Sequence, residues 1–170
     1  LYGELLAVTG GKERIRYYLE KFNTHFNKPD DYDNFVKGLH ESKTDFYTLL
    51  MQEGKIPLRS GVERLIAEAR AEGMRMAVVT TTTPANVTAL LVNTLGPDSE
   101  SWFEVNAAGY IVPAKKPAPD IYIWALEQMN LTADDAIAFE DSFNGFKSSQ
   151  SADLKTIITI NEYTKEDDFG

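Results

Sequence analysis

The chain has 170 residues, 43% hydrophobic and 25% charged, with a formal net charge of −9 and no cysteine. That length supports one ordinary domain or two small lobes around a sizeable core. The acidic balance argues against a nucleic-acid partner. The lack of cysteine excludes a disulfide framework and cysteine-based zinc sites. No apolar run approaches the roughly 20 residues of a membrane span. A small phosphorylated ligand, which needs only a few local cations, is still allowed.

In chain order, residues 11 to 53 carry helical periodicity and no convincing strand. Asp30 and Asp31 follow Pro29 and predict the start of a helix, along which Phe35, Val36, Leu39, Phe46, Leu49 and Leu50 recur at helix-face spacing. Two helices packed as a hairpin is the simplest reading. From Pro57 the pattern changes. Ser60 and Glu63 have capping-box spacing ahead of Val62, Leu65, Ile66 and Ala69, and Gly73 predicts the stop. Residues 74–80 read as a buried strand. Pro84 opens a helix that ends at Gly96-Pro97, and residues 103–108 form a short strand candidate. Pro119 and Asp120 start another helix, with Ile121, Trp124, Ala125 and Met129 on one face. Thr132 and Asp135 mark a short turn. A strand over 136–139, a helix over 145–151 and a last strand over 156–160 follow. Strands alternating with helices predict a parallel sheet, whose functional residues gather beyond the carboxyl ends of its strands.

Three strand ends carry suitable chemistry. Thr80-Thr81-Thr82-Thr83 offers hydroxyl donors to an anion, and Lys115-Lys116-Pro117 offers compact positive charge. Glu140-Asp141-Ser142 offers adjacent carboxylates of the kind that bind a hard cation such as magnesium. Taken singly, each is more often a β-prone turn, solvated surface or a helix start. Together, in this order, they describe a site for a phosphoryl group bridged to a metal.

On these segments the sequence resembles the haloacid dehalogenase (HAD) superfamily over essentially its whole length. Residues 116–122 (Lys-Pro-Ala-Pro-Asp-Ile-Tyr) are similar to that family's lysine motif, 138–145 to its acidic motif, and 76–80 to its Ser/Thr motif. Residues 8–15, 80–91 and 107–117 further resemble its CbbY branch of sugar-bisphosphate phosphatases. The resemblance implies an α/β fold: a Rossmann-like parallel sheet core over 57–170, its first strand missing, and a helical cap over 1–56, with a hinge near 55–60 whose closure would exclude water. It implies that Thr80 hydrogen-bonds the transferring phosphoryl oxygens. Lys116 would neutralise charge, with Lys115 as the neighbouring alternative. Asp141 would bind Mg2+, and Glu140 would support it directly or through water. Thr81 and Thr82 join the substrate-binding candidates. So do Gly11, Lys12 and Arg14, which would hold a second, non-reacting phosphate. A basic first turn opposes the helix dipole and so needs a reason; an ordinary solvated helix start is the alternative there.

The family's nucleophile is the first aspartate of an Asp-x-Asp pair ahead of the cap. Asp31 and Asp33 have that spacing but fall in a predicted helix, and Asp134-Asp135 fails on context. Because the sequence opens on Leu1, it is expected to begin inside a longer protein; these residues alone would not support covalent catalysis. Ser148, Ser149 and Asp153 also depart from the Ala- and Gly-rich residues usual after the acidic motif, Asp153 standing where the family has glycine. The reading is a magnesium-dependent phosphatase acting on a sugar phosphate, with xylulose 1,5-bisphosphate as the substrate that the CbbY resemblance implies. A β-phosphoglucomutase-like mutase and a non-catalytic phosphate-binding relative are the alternatives. A monomer is expected, with no nucleic-acid or membrane partner, in a bacterial cytoplasm or plastid stroma.

Overall fold

A computed structural model describes all residues, Leu1–Gly170. In chain order the elements are α1 (Tyr2–Leu5), α2 (Gly11–Lys21), α3 (Tyr32–Gln52), α4 (Val62–Ala71), β1 (Ala77–Val79), α5 (Pro84–Leu95), β2 (Val105–Ala107), α6 (Asp120–Met129), β3 (Ile137–Glu140), α7 (Phe143–Ser151) and β4 (Lys155–Ile158). Contacts divide the chain into two compact units, Leu1–Ser42 with Val112–Gly170, and Lys43–Ile111. Helix α3 runs from the first unit into the second.

In the first unit, α3 starts where expected. The Asp31 carboxylate accepts the Asn34 backbone N–H at 3.2 Å and its side-chain amide at 2.6 Å, answering donors that a helix start leaves unpaired. Asp33 forms an ion pair with Arg16 of α2 at 2.8 Å. Both aspartates therefore serve the α2–α3 hairpin. Beyond residue 112, β3 pairs in parallel with β4, Ile137 opposite Lys155 and Glu140 opposite Ile158. Strand alternation puts Ala138 and Glu140 on the buried face and leaves Ile137 and Phe139 exposed. Helix α7 packs against both strands and against α6. That packing explains Ser148 and Ser149, both fully buried. A small residue fits the crowded position, and each hydroxyl is satisfied: Ser148 Oγ donates to Ala118 O at 2.6 Å, and Ser149 Oγ lies 2.7 Å from Thr156 Oγ1.

Just past α7 and its C-cap Ala152, Asp153 has a φ of +60°. The left-handed conformation that the family gives to glycine is thus adopted by an aspartate, at a cost that glycine avoids. Asp153→Gly is expected to raise stability by about 0.5–1 kcal/mol, read as a shifted midpoint in urea with unchanged slope.

In the second unit, β1 and β2 form a parallel ladder of three residues each, so the apolar segments 74–80 and 103–108 are only partly strand. The expected single sheet is observed as two separate two-stranded parallel sheets. Thr83 caps α5, its hydroxyl accepting the Asn86 N–H at 3.4 Å, and Pro84 occupies the first turn where its missing N–H is harmless. Val87 and Leu91 of α5 bury against Ala108, with Val78, Leu95 and Phe103 packed around them. The Ser60/Glu63 capping box does not form. Gly61 takes the N-cap at φ +84° with no side-chain cap, a conformation that Ser60 could not supply without strain.

Candidate active site

Lys116 and Glu140 meet inside the first unit. Lys116 Nζ donates to Glu140 Oε1 at 2.5 Å, and both side chains are at least nine-tenths buried. Two elements bring them together: the turn that leads into α6 carries Lys116, and the inward face of β3 ends on Glu140. A buried pair of this kind holds only when further hydrogen bonds satisfy it. Here Tyr122, from the buried face of α6, donates its hydroxyl to the same Glu140 oxygen. Burial, then the adjoining Glu140 carboxylate, push the Tyr122 hydroxyl well above its ordinary pKa, so it stays protonated and donates.

Asp141, one residue beyond the strand end, is exposed and accepts a hydrogen bond from Asn161 Nδ2 at 3.3 Å. Asn161 is itself fixed by its own loop: its amide oxygen takes the Tyr163 N–H at 2.8 Å. No group of three or more His, Asp or Glu side chains is arranged as a ready metal cage. Magnesium uses one or two carboxylates, retained waters and substrate phosphates, and an exposed Asp141 beside Glu140 fits that habit. The two carboxylates are not equivalent. Glu140 Oε1 already serves Lys116 and Tyr122, whereas Asp141 faces solvent.

Gly145, third residue of α7, lies against Glu140 so closely that any Cβ there would overlap the carboxylate. The Ser142 hydroxyl caps α7 by accepting the Gly145 N–H at 3.2 Å. Asn144 Nδ2 lies within donating distance of Leu6 O at 3.3 Å, Ala7 O at 3.1 Å and Thr9 Oγ1 at 3.0 Å. It thereby ties the acidic motif to the segment before α2.

Directly after that segment, Gly11, Lys12 and Arg14 open α2. Gly10 has a φ of +102°, and a Cβ on it would overlap Glu13 and approach Lys115 Nζ to 3.0 Å. A Cβ on Gly11 would overlap the His40 imidazole. Both glycines are therefore fixed by close approach. Lys12 is half-buried in the first turn. The Arg14 guanidinium is directed to the chain just before the helix, donating to Val8 O at 3.2 and 3.3 Å and to the Tyr2 hydroxyl at 3.4 Å. This local hook supplies the reason for a basic first turn; binding a phosphate would require Arg14 to exchange these partners. Lys115 pairs with Glu13 at 2.7 Å. Partial burial opposes ionisation of Glu13, but the hydrogen bond and charge of Lys115 outweigh it and hold the carboxyl below its ordinary range.

In the second unit, Thr80, Thr81 and Thr82 follow β1 as expected. The Thr80 hydroxyl accepts the Thr82 N–H at 3.2 Å, and Thr82 Oγ1 accepts Asn86 Nδ2 at 2.9 Å. Asn86 is buried. With Thr82 Oγ1 used as an acceptor, its O–H remains a donor.

Tyr122, Glu13, His40, Asn86, Asn144 and Asn161 were not among the candidates drawn from the sequence. Only Tyr122 had a readable signal, since a tyrosine on the buried stripe of a helix needs a partner for its hydroxyl.

The chain that brings together this buried lysine–carboxylate pair and exposed aspartate belongs to the haloacid dehalogenase-like hydrolase family, which matches residues 7–153. It is an enzyme of the phosphoric monoester hydrolase type. It is 42% identical to the protein CbbY of Cereibacter sphaeroides over 169 residues, 99% of this chain and 71% of that relative. It is 36% identical to a CBBY-like protein of Arabidopsis thaliana, covering 99% of this chain and 54% of that one. A crystal structure of a CbbY mutant from Rhodobacter sphaeroides in complex with xylulose 1,5-bisphosphate superimposes with a TM-score of 0.88 at 41% identity, over 99% of this chain and 73% of that one.

Proposed function

We propose that the protein is a magnesium-dependent sugar-phosphate phosphatase that converts xylulose 1,5-bisphosphate to xylulose 5-phosphate and phosphate. The observation that carries the reading is the Lys116–Glu140 pair set directly before exposed Asp141. It occurs in a chain 41% identical to a protein whose structure holds that bisphosphate.

By the family's pattern, an aspartate carboxylate oxygen bonds to phosphorus as the phosphorus–oxygen bond to the sugar breaks. A second carboxylic acid gives its proton to the departing sugar oxygen. Water then attacks phosphorus and gives a proton back to that second carboxylate, the bond between the aspartyl oxygen and phosphorus breaks, and phosphate leaves. This chain's own residues supply the surroundings of that exchange. Lys116 places positive charge beside the transferring group, and Glu140 keeps the ammonium aimed and neutralised while no substrate is present. Thr80 donates its hydroxyl to a phosphoryl oxygen. Asp141 holds Mg2+, with Glu140 in support; the ion, when bound, offsets charge that builds on the phosphoryl oxygens. At the start of α2, Gly11 lets the backbone approach the second phosphate and Lys12 offers its charge, with Arg14, Thr81 and Thr82 completing the contacts. On this reading residues 1–56 act as the cap and 57–170 as the core, in a bacterial cytoplasm or a plastid stroma.

The test is phosphate release from xylulose 1,5-bisphosphate by the full-length protein, with and without Mg2+, beside its Asp141→Asn variant. Release is expected to depend on Mg2+ and to fall by about a hundredfold or more in the variant, the scale of losing one charge-stabilising group. Folded full-length protein that releases no phosphate sinks the substrate assignment. Full activity in Asp141→Asn sinks the metal role.

A further inference from the structure

We infer that Tyr122 is a positioning residue for Lys116, acting through the carboxylate of Glu140. Three observations converge on it. The Tyr122 hydroxyl donates to Glu140 Oε1, the oxygen that also takes Lys116 Nζ. The same ammonium lies 3.5 Å from the Tyr122 hydroxyl and 4.7 Å from the centre of its ring. Tyr122 is itself only 6% exposed, wedged on the inner face of α6 beside Ile121 and Ala125.

A lysine ammonium is a point charge on a flexible four-carbon stem, and one ion-pair contact does not fix where it stands. A carboxylate with a single donor can also turn about its terminal torsion, which is broad. Two donors on one oxygen remove that freedom, and the aromatic face beneath Nζ restricts it on a second side. Glu140 is then a fixed counter-charge, so the remaining N–H groups of Lys116 point in a set direction. Such preorganisation is what electrostatic stabilisation of a transferring phosphoryl group requires, because no reorganisation is left for the moment of reaction. A hydroxyl kept for packing alone would need no shared acceptor; phenylalanine would fill the same volume without the cost of burying an O–H.

Tyr122→Phe isolates the hydroxyl, because it keeps the ring, its packing and its cation–π face. The first arm of the experiment does not depend on the phosphatase reading. Full-length parent and variant, shown to be folded by circular dichroism, are exposed to limiting acetic anhydride, and acetylation of each lysine is followed by mass spectrometry. Lys116 is expected to react about fivefold faster in the variant, as one lost hydrogen bond to a charged group frees it, while Lys147 keeps its rate. Glu140→Gln, which keeps side-chain volume, is expected to raise the Lys116 rate at least as much. An unchanged Lys116 rate in both variants overturns the inference.

The second arm rests on the proposed reaction. Tyr122→Phe is expected to lower kcat about tenfold with KM within about twofold, and to cost nothing further when Lys116 is already Met. A loss of the same size in the Lys116→Met background, or an unchanged kcat in the parent background, overturns the catalytic consequence. A parent that releases no phosphate but shows the labelling difference sinks the proposed substrate and leaves the positioning of Lys116 standing.

Discussion

Lys116→Met is expected to lower stability by about 3–5 kcal/mol, a fall in melting temperature of about 10 °C for a chain of this size, and to lower phosphate release by about a hundredfold or more, leaving a measurable remainder. The stem of lysine buries as methionine does, so little packing is lost. What is lost is the counter-charge of Glu140, which would remain 8% exposed with the Tyr122 hydroxyl to answer it. Breaking one half of a buried pair costs far more than the pair contributes, because the surviving charge has left water for nothing. The double variant Lys116→Met with Glu140→Gln separates the two effects. It should recover most of the lost melting temperature, since no uncompensated charge remains, and recover none of the phosphate release. If the single variant melts like the parent, the pair does not carry the buried charge described here. If the double variant regains activity, Lys116 has no role in the reaction.

Gly145→Ala should be destabilising by about 1–2 kcal/mol, against the usual sign for a helical glycine. Alanine inside a helix normally gains about 1 kcal/mol over glycine. At Gly145 the added methyl would overlap the Glu140 carboxylate, which cannot swing away because Lys116 and Tyr122 hold it. Overpacking of this kind costs about 1–3 kcal/mol, and Gly145 stands in the first turn of α7, where helix propensity counts for less. Gly38, in α3, is the matched control, since a Cβ there meets nothing within 4 Å. Gly38→Ala should therefore gain about the normal 1 kcal/mol. Urea unfolding of the two variants, followed by circular dichroism, gives the comparison. A stabilised Gly145→Ala would show that Glu140 is free to move. In the full-length enzyme the displaced carboxylate should also reduce phosphate release.

The parts of this structure that could be read from sequence are those set by local chemistry. Pro84 and Gly96 bound α5 because one tolerates a helix start and the other a positive φ. The polar segments after residues 79 and 139 lie at strand ends because alternation of helix and strand fixes where a parallel strand stops. Asp153 takes the glycine conformation because the helix end demands it whatever residue is there. What could not be read depends on backbone angles and side-chain partners that no periodic pattern announces. Ser60 and Glu63 had the spacing of a cap, but Gly61 could adopt a backbone angle that made one unnecessary. Arg14 was legible as a candidate phosphate ligand, but its partners within the chain were not, the Val8 carbonyl standing in the bend ahead of α2 and the Tyr2 hydroxyl in the short helix α1. The resemblance separated the roles of Glu140 and Asp141, but that the first is buried and the second exposed was equally hidden. Neighbouring carboxylates look alike in sequence, and only the pleat of β3 turns one inward to Lys116 and leaves the other in solvent.

The hydrogen bonds from Asn144 to Leu6, Ala7 and Thr9, and the ion pair between Lys115 and Glu13, have a consequence for how this sequence can drift. They span up to 138 positions of chain, yet each end is fixed by the other. A deletion of one residue between Leu6 and Glu13 would strand two partners at once, and a larger side chain at Gly10 would press on Lys115. Segments that a genetic map would treat as distant are in this respect a single heritable unit, and variants that swap one without the other should be rare among functional descendants.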